Sequence, residues 1–278
     1  MGGVYMACEV ATGARVALKV LDPQFANHAQ IVDRLYGEHA IASRIRHPGV
    51  LDIRAAKRTA DNVPYLVMEY LDGESLNTIA ERETLPTERI ISIAAQVAAA
   101  VAALHDAGVV HCDIKPDNIF ILANSDRVKV IDFGVSRFTS EPPSDDGAIA
   151  GTPWCMAPEQ WDGAPVPASD VYALGCTMFE LVTGNQPFSG SLPELMLAHL
   201  EQRPARPSWM RAIPMELERL ILRSLAKDPA QRPTMHELAY ELSRLLATQS
   251  RSSMSSPRSA GSGLSSGNDV NRASARAA

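Results

Sequence analysis

His111-Cys112-Asp113-Ile114-Lys115-Pro116-Asp117-Asn118 is the stretch of this 278-residue sequence in which reactive side chains crowd most closely, and Ile131-Asp132-Phe133-Gly134 follows soon after. Catalytic groups project from loops at the ends of regular elements. Pro116 restricts the backbone here, so Asp113, Lys115 and Asn118 are expected to hold one orientation. Two carboxylates, Asp113 and Asp132, with the Asn118 amide and nearby lysines suit a magnesium polyphosphate: hard oxygens take the cation, and ammonium groups offset phosphate charge. The chemistry implied is phosphoryl transfer. Each residue alone has a plainer explanation. A single loop aspartate is more often a turn or cap residue. Lys19 would by default be a solvated strand-edge charge, but between Val16-Ala17-Leu18 and Val20-Leu21 it is expected to be partly buried and to need a partner. His111 is expected to be a packed, hydrogen-bonded histidine and not a general base, and Cys112, Cys155 and Cys176 to be small apolar fillers.

The flanking sequence must build the scaffold. Val4 to Val10 and Val16 to Leu21 read as a hairpin turning at Thr12-Gly13 and ended by Asp22-Pro23. Ile31, Leu35, Ile41 and Ile45 mark a helix from about Ala29 to Ile45, which stops before His47-Pro48-Gly49. Short strands are expected near Val50 to Ala56 and Tyr65 to Tyr70. Beyond Leu71-Asp72-Gly73 the pattern turns helical: Ser75 to Arg82, Thr87 to Ala107, Ser169 to Thr183, Leu192 to Glu201, Glu216 to Leu225 and Met235 to Ala247. The expected fold class is α+β, two-lobed, with a small strand-rich lobe over 1–71, a larger helical lobe over 72–247 and a ligand crevice between them. Over 248–278 Ser, Ala, Gly and Arg displace large apolar residues, so burial cannot offset the entropy of ordering and a disordered tail is expected.

Composition excludes several partners. Lys and Arg number 26 against 32 Asp and Glu, a net charge of −6 without a basic run, which argues against nucleic acid or an anionic membrane. The four cysteines form no CxxC pair and sit in no histidine cluster, which points to a reduced, cytoplasmic location and no cysteine-held metal. The longest apolar run, Ile90 to Leu104, is interrupted by Ser92 and Gln96 and falls short of the ~20 residues a bilayer span needs. It is expected to be a buried helix. The start, Met1-Gly2-Gly3-Val4-Tyr5-Met6-Ala7, lacks the features of a secretory signal.

Val16-Ala17-Leu18-Lys19, Glu38, His111 through Asn118, Asp132-Phe133-Gly134, Gly151-Thr152, Ala157-Pro158-Glu159, Ser169-Asp170 through Gly175 and Arg232 occur in one order over almost all of residues 1–247. In that order they resemble the protein kinases, and more closely the bacterial branch of the serine/threonine kinases. The resemblance implies ATP and Mg2+ as cofactors. It gives Lys19 the α- and β-phosphates with Glu38 as its helix partner, and Asn118 and Asp132 the magnesium. Asp113 would accept a hydrogen bond from the substrate hydroxyl, and Lys115 would offset charge on the transferring group. Backbone groups from Glu69 to Leu71, after a gatekeeper Met68, would place the adenine between Val4, Ala17 and Phe120, with Glu74 near ribose or a basic substrate residue. Lys115 and Thr152 resemble the serine/threonine branch, so a protein substrate with a Ser or Thr acceptor is expected. Glu159 and Arg232 would form a buried ion pair, and Asp170 would tie the catalytic loop to an apolar helix.

Two departures from the family pattern stand out. Its phosphate loop reads G-x-G-x-x-G-x-V, and Met1-Gly2-Gly3-Val4 retains only the third glycine, Gly2. The first strand and half the loop are therefore expected to be missing, with the next strand left as an unpaired edge. A start codon placed too far downstream is favoured over poor ATP binding, because every later catalytic position is intact. Cys112 stands where many kinases carry the arginine that receives an activating phosphate. Activity is thus expected to depend little on phosphorylation between Asp132 and Glu159, at Thr139, Ser140, Ser144 or Thr152. Two rival readings are a pseudokinase that serves as a binding module and a small-molecule phosphotransferase. Gly151-Thr152 with Ala157-Pro158-Glu159 argues against the second.

Overall fold

Strand β1 (Gly2–Cys8) and strand β2 (Arg15–Leu21) form an antiparallel hairpin in register from Gly2↔Leu21 to Cys8↔Arg15. The strand ends at Cys8 instead of Val10 because the turn begins at Glu9: its N–H donates to the Ala14 carbonyl at 2.8 Å, and its carbonyl accepts from the Gly13 N–H at 2.8 Å. Gly13 takes φ 71°, the left-handed conformation that a residue without Cβ adopts at little cost. Helix α1 (Ala29–Ala42) buries Val32, Leu35, Glu38 and Ile41 on one face. It stops at Ala42 because the chain tightens into i→i+3 bonds, Arg44 N–H to Ile41 O and Ile45 N–H to Ala42 O, both 3.1 Å. Strands β3 (Ile53–Arg58) and β4 (Pro64–Glu69) complete a four-stranded antiparallel sheet in the order β1-β2-β4-β3, with α1 packed on β3 and β4. Strand β1 is an edge, with Val4, Tyr5 and Met6 exposed. The computed structural model describes residues 2–140 and 151–254.

Past residue 72 come β5 (Gly73–Ser75) and α2 (Leu76–Arg82), the latter capped by Ser75, whose Oγ accepts from the Thr78 N–H at 3.1 Å. Helix α3 (Thr87–Asp106) follows. Then come β6 (Val109–Val110), β7 (Ile119–Leu122), β8 (Val128–Val130) and β9 (Arg137–Phe138). The remaining helices are α4 (Pro158–Trp161), α5 (Pro167–Thr183), α6 (Leu192–Glu201), α7 (Met215–Ser224) and α8 (Met235–Met254). The result is a strand-rich lobe followed by a helical one.

By length and apolarity α3 passes as a membrane span. Its apolar residues have another destination: Ile90, Ile91, Val97, Val101 and Leu104 are fully buried, and the helix packs on α5 and α8. Helix α8 continues past Ala247 to Met254, so the tail cannot begin at residue 248. Residues 255–278 lie outside the described residues, as does Ser144.

Candidate active site

Alternation along β2 sends Lys19 and Ala17 to the same face of the sheet, where α1 presents Glu38. The Lys19 ammonium donates to both Glu38 carboxylate oxygens at 2.8 Å and to Asp132 Oδ1 at 3.2 Å. Burial pulls the Lys19 pKa down, but the Glu38 and Asp132 charges more than reverse this, so the group stays an ammonium with its pKa raised. Burial also pushes Glu38 up, against the pull of Lys19. Asp132 ends below its ordinary value, since Lys19 and the Gly134 N–H outweigh its desolvation.

The catalytic loop hangs from a fully buried carboxylate. Asp170, in the first turn of α5, accepts from the His111 N–H at 2.9 Å, the Cys112 N–H at 2.8 Å and His105 Nε2 at 2.8 Å. Cys112 is thereby held at φ 68°, a region that non-glycine residues rarely occupy. Its carbonyl accepts from Gln160 Nε2 at 2.9 Å. Gly151 faces the same carbonyl, and a Cβ there would sit 2.9 Å from it. His111 is buried, and its partners fix the tautomer. Nε2 lies 3.2 Å from the Ile131 carbonyl and must donate, while Nδ1 accepts from the Asp113 N–H at 3.3 Å. A ring so committed is unavailable as a base.

Within the loop, Lys115 Nζ lies 2.8 Å from Asp113 Oδ2 and 2.6 Å from Thr152 Oγ1, and that hydroxyl donates to Asp113 Oδ1 at 2.5 Å. Burial lowers the Lys115 pKa, but the hydrogen bond and charge of Asp113 leave it raised. Asn118 Nδ2 donates to the Asp113 carbonyl at 2.8 Å and to Asp113 Oδ2 at 3.0 Å. This bonding spares the Asn118 amide oxygen. Asp132, also left-handed at φ 65°, keeps Oδ2 without a partner among the described residues. These two oxygens are hard donors, too few for a closed protein cage but suited to a cation that takes the rest of its shell from water and phosphate.

Farther down, Glu159 and Arg232 form a bidentate pair at 2.7 and 2.9 Å. The guanidinium also donates to the carbonyls of Ala226, Ala168 and Lys227, so the buried cation is fully satisfied. Ser169 Oγ donates to Glu159 at 2.5 Å.

Between the lobes lies a cleft of about 460 Å³ whose lining includes Val4, Ala17, Lys19, Glu38, Met68, Glu69, Leu71, Asn118, Phe120 and Asp132. A neighbouring recess of about 260 Å³ shares Lys19, Glu38 and Asp132 with it and adds Asp113 and Gly134. A larger groove of about 550 Å³, lined from α3, α7 and α8, contains none of these groups. Convergent chemistry, not size, selects the first. Glu74 is not brought into the cleft: Arg82 holds its carboxylate at 2.9 and 3.3 Å. The lining also includes Tyr5, Met6, Leu51 and Ile131, to which the sequence assigned no role in the site. Ile131 carried a usable signal, standing next to Asp132 at the end of a strand, whereas Leu51 carried none.

The protein kinase domain family matches residues 1–241. Over 235 residues the chain is 38% identical to the serine/threonine-protein kinase Pkn1 of Myxococcus xanthus, covering 82% of this chain and 34% of that protein. It is 35% identical over 236 residues to the serine/threonine-protein kinase PknB of Mycobacterium leprae, covering 82% and 38%. The serine/threonine-protein kinase pkn3 of Myxococcus xanthus is 36% identical over 243 residues, with 82% and 44% covered. The chain thus spans less than half the length of these relatives. The family match takes in both lobes and the cleft between them and ends inside α8, and the chain belongs to the protein kinase family.

Proposed function

We propose that the chain is a serine/threonine protein kinase that transfers the γ-phosphoryl group of ATP, with Mg2+, to Ser or Thr hydroxyls of protein substrates. One observation carries this reading: the Lys19–Glu38 pair and the Asp113–Lys115 pair are both closed, and Asp132, bonded to Lys19, lines one recess with Asp113. Glu38 keeps the Lys19 ammonium charged and aimed at the place where α- and β-phosphates would lie. Backbone groups of Glu69 to Leu71 meet the adenine edge, with Val4, Ala17, Met68 and Phe120 as apolar walls. Asn118 and Asp132 offer the oxygens for magnesium, which when bound offsets charge on the phosphates.

Asp113 orients the acceptor hydroxyl. Its carboxylate already accepts a hydrogen bond from the Thr152 hydroxyl, which supports this role. Lys115 supplies positive charge beside it, where negative charge develops on the transferring group. Asp170 and the Glu159–Arg232 pair hold the loop and the substrate-binding segment. Closed pairing of all four central groups speaks against a purely binding role. The names of the relatives support the serine/threonine assignment. A cytoplasmic location accords with four cysteines that form no disulfide among the described residues.

The test is transfer of radiolabelled phosphate to a generic protein substrate, comparing the chain with Asp113→Ala and Lys19→Ala. Both substitutions are expected to cut labelling by about 10²-fold or more. Label transfer unaffected by Asp113→Ala refutes the mechanism.

A further inference from the structure

Glu69 ends β4 at the cleft, but its side chain is committed behind the strand. Oε1 accepts from the Asp52 N–H at 2.8 Å and from Lys129 Nζ at 2.5 Å, and the Glu69 N–H returns to the Asp52 carbonyl at 2.9 Å. Lys129, on β8, also donates to the Val50 carbonyl at 3.2 Å. The two side chains are only 21% and 12% exposed. Around them the main chain is sewn together: Val130 N–H donates to Gly49 O at 2.7 Å and Leu51 N–H to Val130 O at 3.0 Å. Three segments from two lobes therefore meet at one ion pair. These are the end of β4, the loop joining α1 to β3, and the strand that leads, three residues later, to Asp132. A second pair at the same junction, Arg15–Asp72, is 3.9 Å long with side chains 54% and 72% exposed, and such a pair restrains little.

We propose that Glu69 and Lys129 form a latch behind the interlobe connection, and that Lys129 is a positioning residue for nucleotide affinity, acting through the Glu69 main chain. This rests on the ATP reading above. With its carboxylate held from behind, Glu69 presents its main chain to the cleft in one orientation. The nucleotide then meets a preorganised edge, and less freedom is lost on binding. Loss of the ammonium leaves the carboxylate with the Asp52 N–H alone and loosens the side-chain hold on a main chain that keeps its own bond to the Asp52 carbonyl. The phosphates, Asp113 and the acceptor hydroxyl are untouched, so affinity changes and the transfer step does not.

The experiment measures ATP KM and kcat on the full chain, together with Kd from Mg-ATP displacement of a fluorescent ATP analogue. Lys129→Met is expected to raise KM and Kd by about tenfold, the scale of one charge-assisted hydrogen bond, with kcat within about twofold. Lys129→Arg, which keeps the charge, is expected to recover most of the loss. Adding Glu69→Gln to Lys129→Met is expected to add nothing further, because the two side chains act as one unit. A thermal melt confirms folding, and if Lys129→Met does not fold, Glu69→Gln alone is read for the same rise in KM. Unchanged KM and Kd, a fall confined to kcat, or additive effects in the double variant overturns the latch. An active parent with unaltered Kd in Lys129→Met sinks the latch alone, whereas a parent that binds no ATP overturns the ATP reading and the latch with it.

Discussion

Asp170 and Lys19 each anchor one wall of the cleft, by contrasting means. Asp170 is fully buried and takes its loop donors from the adjacent residues His111 and Cys112. The Lys19 side chain is 27% exposed, and its partners arrive from α1 and from Asp132, which is itself 49% exposed. The lower wall is thus part of the core, satisfied by main-chain groups whose relative positions the chain itself restricts. The upper wall depends on one ammonium that bridges a strand, a helix and the other lobe. Damage to the buried anchors below should reach stability, and damage above should reach nucleotide handling with the fold intact.

The largest expected effect falls on the group that touches the acceptor. Asp113→Asn keeps the shape and is expected to lower phosphoryl transfer by about 10³-fold, the scale of a positioned acid–base group, with little change in melting temperature. Next is Arg232→Met. It strands the Glu159 carboxylate and is expected to cost about 3–5 kcal/mol of unfolding free energy by denaturant titration. A comparable loss of transfer with no loss of stability would erase the distinction between the two walls.

A titration probes the lower lobe from within. His199 is buried, with Nδ1 2.9 Å from the Tyr172 hydroxyl, and burial followed by the Lys227 charge lowers its pKa to about 4. The unfolded chain takes up that proton near pH 6.5, well before the folded one does. Stability is therefore present above about pH 6.5 and is lost as pH falls toward about 4, by up to about 3 kcal/mol. His199→Gln is expected to flatten this part of the stability profile, as measured by melts from pH 7 to pH 4.

On the upper wall, Lys19→Met is expected to lower kcat/KM by about 10²-fold, the loss of one preorganised charge, with a melting temperature close to that of the parent. An equally large loss of stability would show that the upper wall is as integral to the core as the lower. The smallest effect is expected from Arg15→Ala at the exposed Arg15–Asp72 pair, below about 1 kcal/mol in either measurement.

Much of the site was legible because its groups are contiguous in sequence. His111 to Asn118 and Ile131 to Gly134 each lie within a few residues, so proline, carboxylate and amide could be read as a unit. Long helices were equally legible: periodicity placed α3 within one residue of its observed end, because twenty residues carry several turns of pattern. The two-residue strands β6 and β9 carry no periodicity and went unseen, as did the four-residue α4. Glu74 was assigned to the cleft by the family resemblance, and its carboxylate instead pairs with Arg82, the last residue of α2.

Residue types and spacing along the chain settled which groups could do the chemistry and in what order they occur, since acids, amides and ammonium groups have the same capacities in any fold. Which of them meet was decided in three dimensions. Lys19 to Asp132 spans 113 positions, Glu69 to Lys129 spans 60, and Glu159 to Arg232 spans 73. Pairing at such separations is enforced by the packing of sheet, α1 and helical lobe, and a buried charge tolerates no other arrangement than the one that satisfies it.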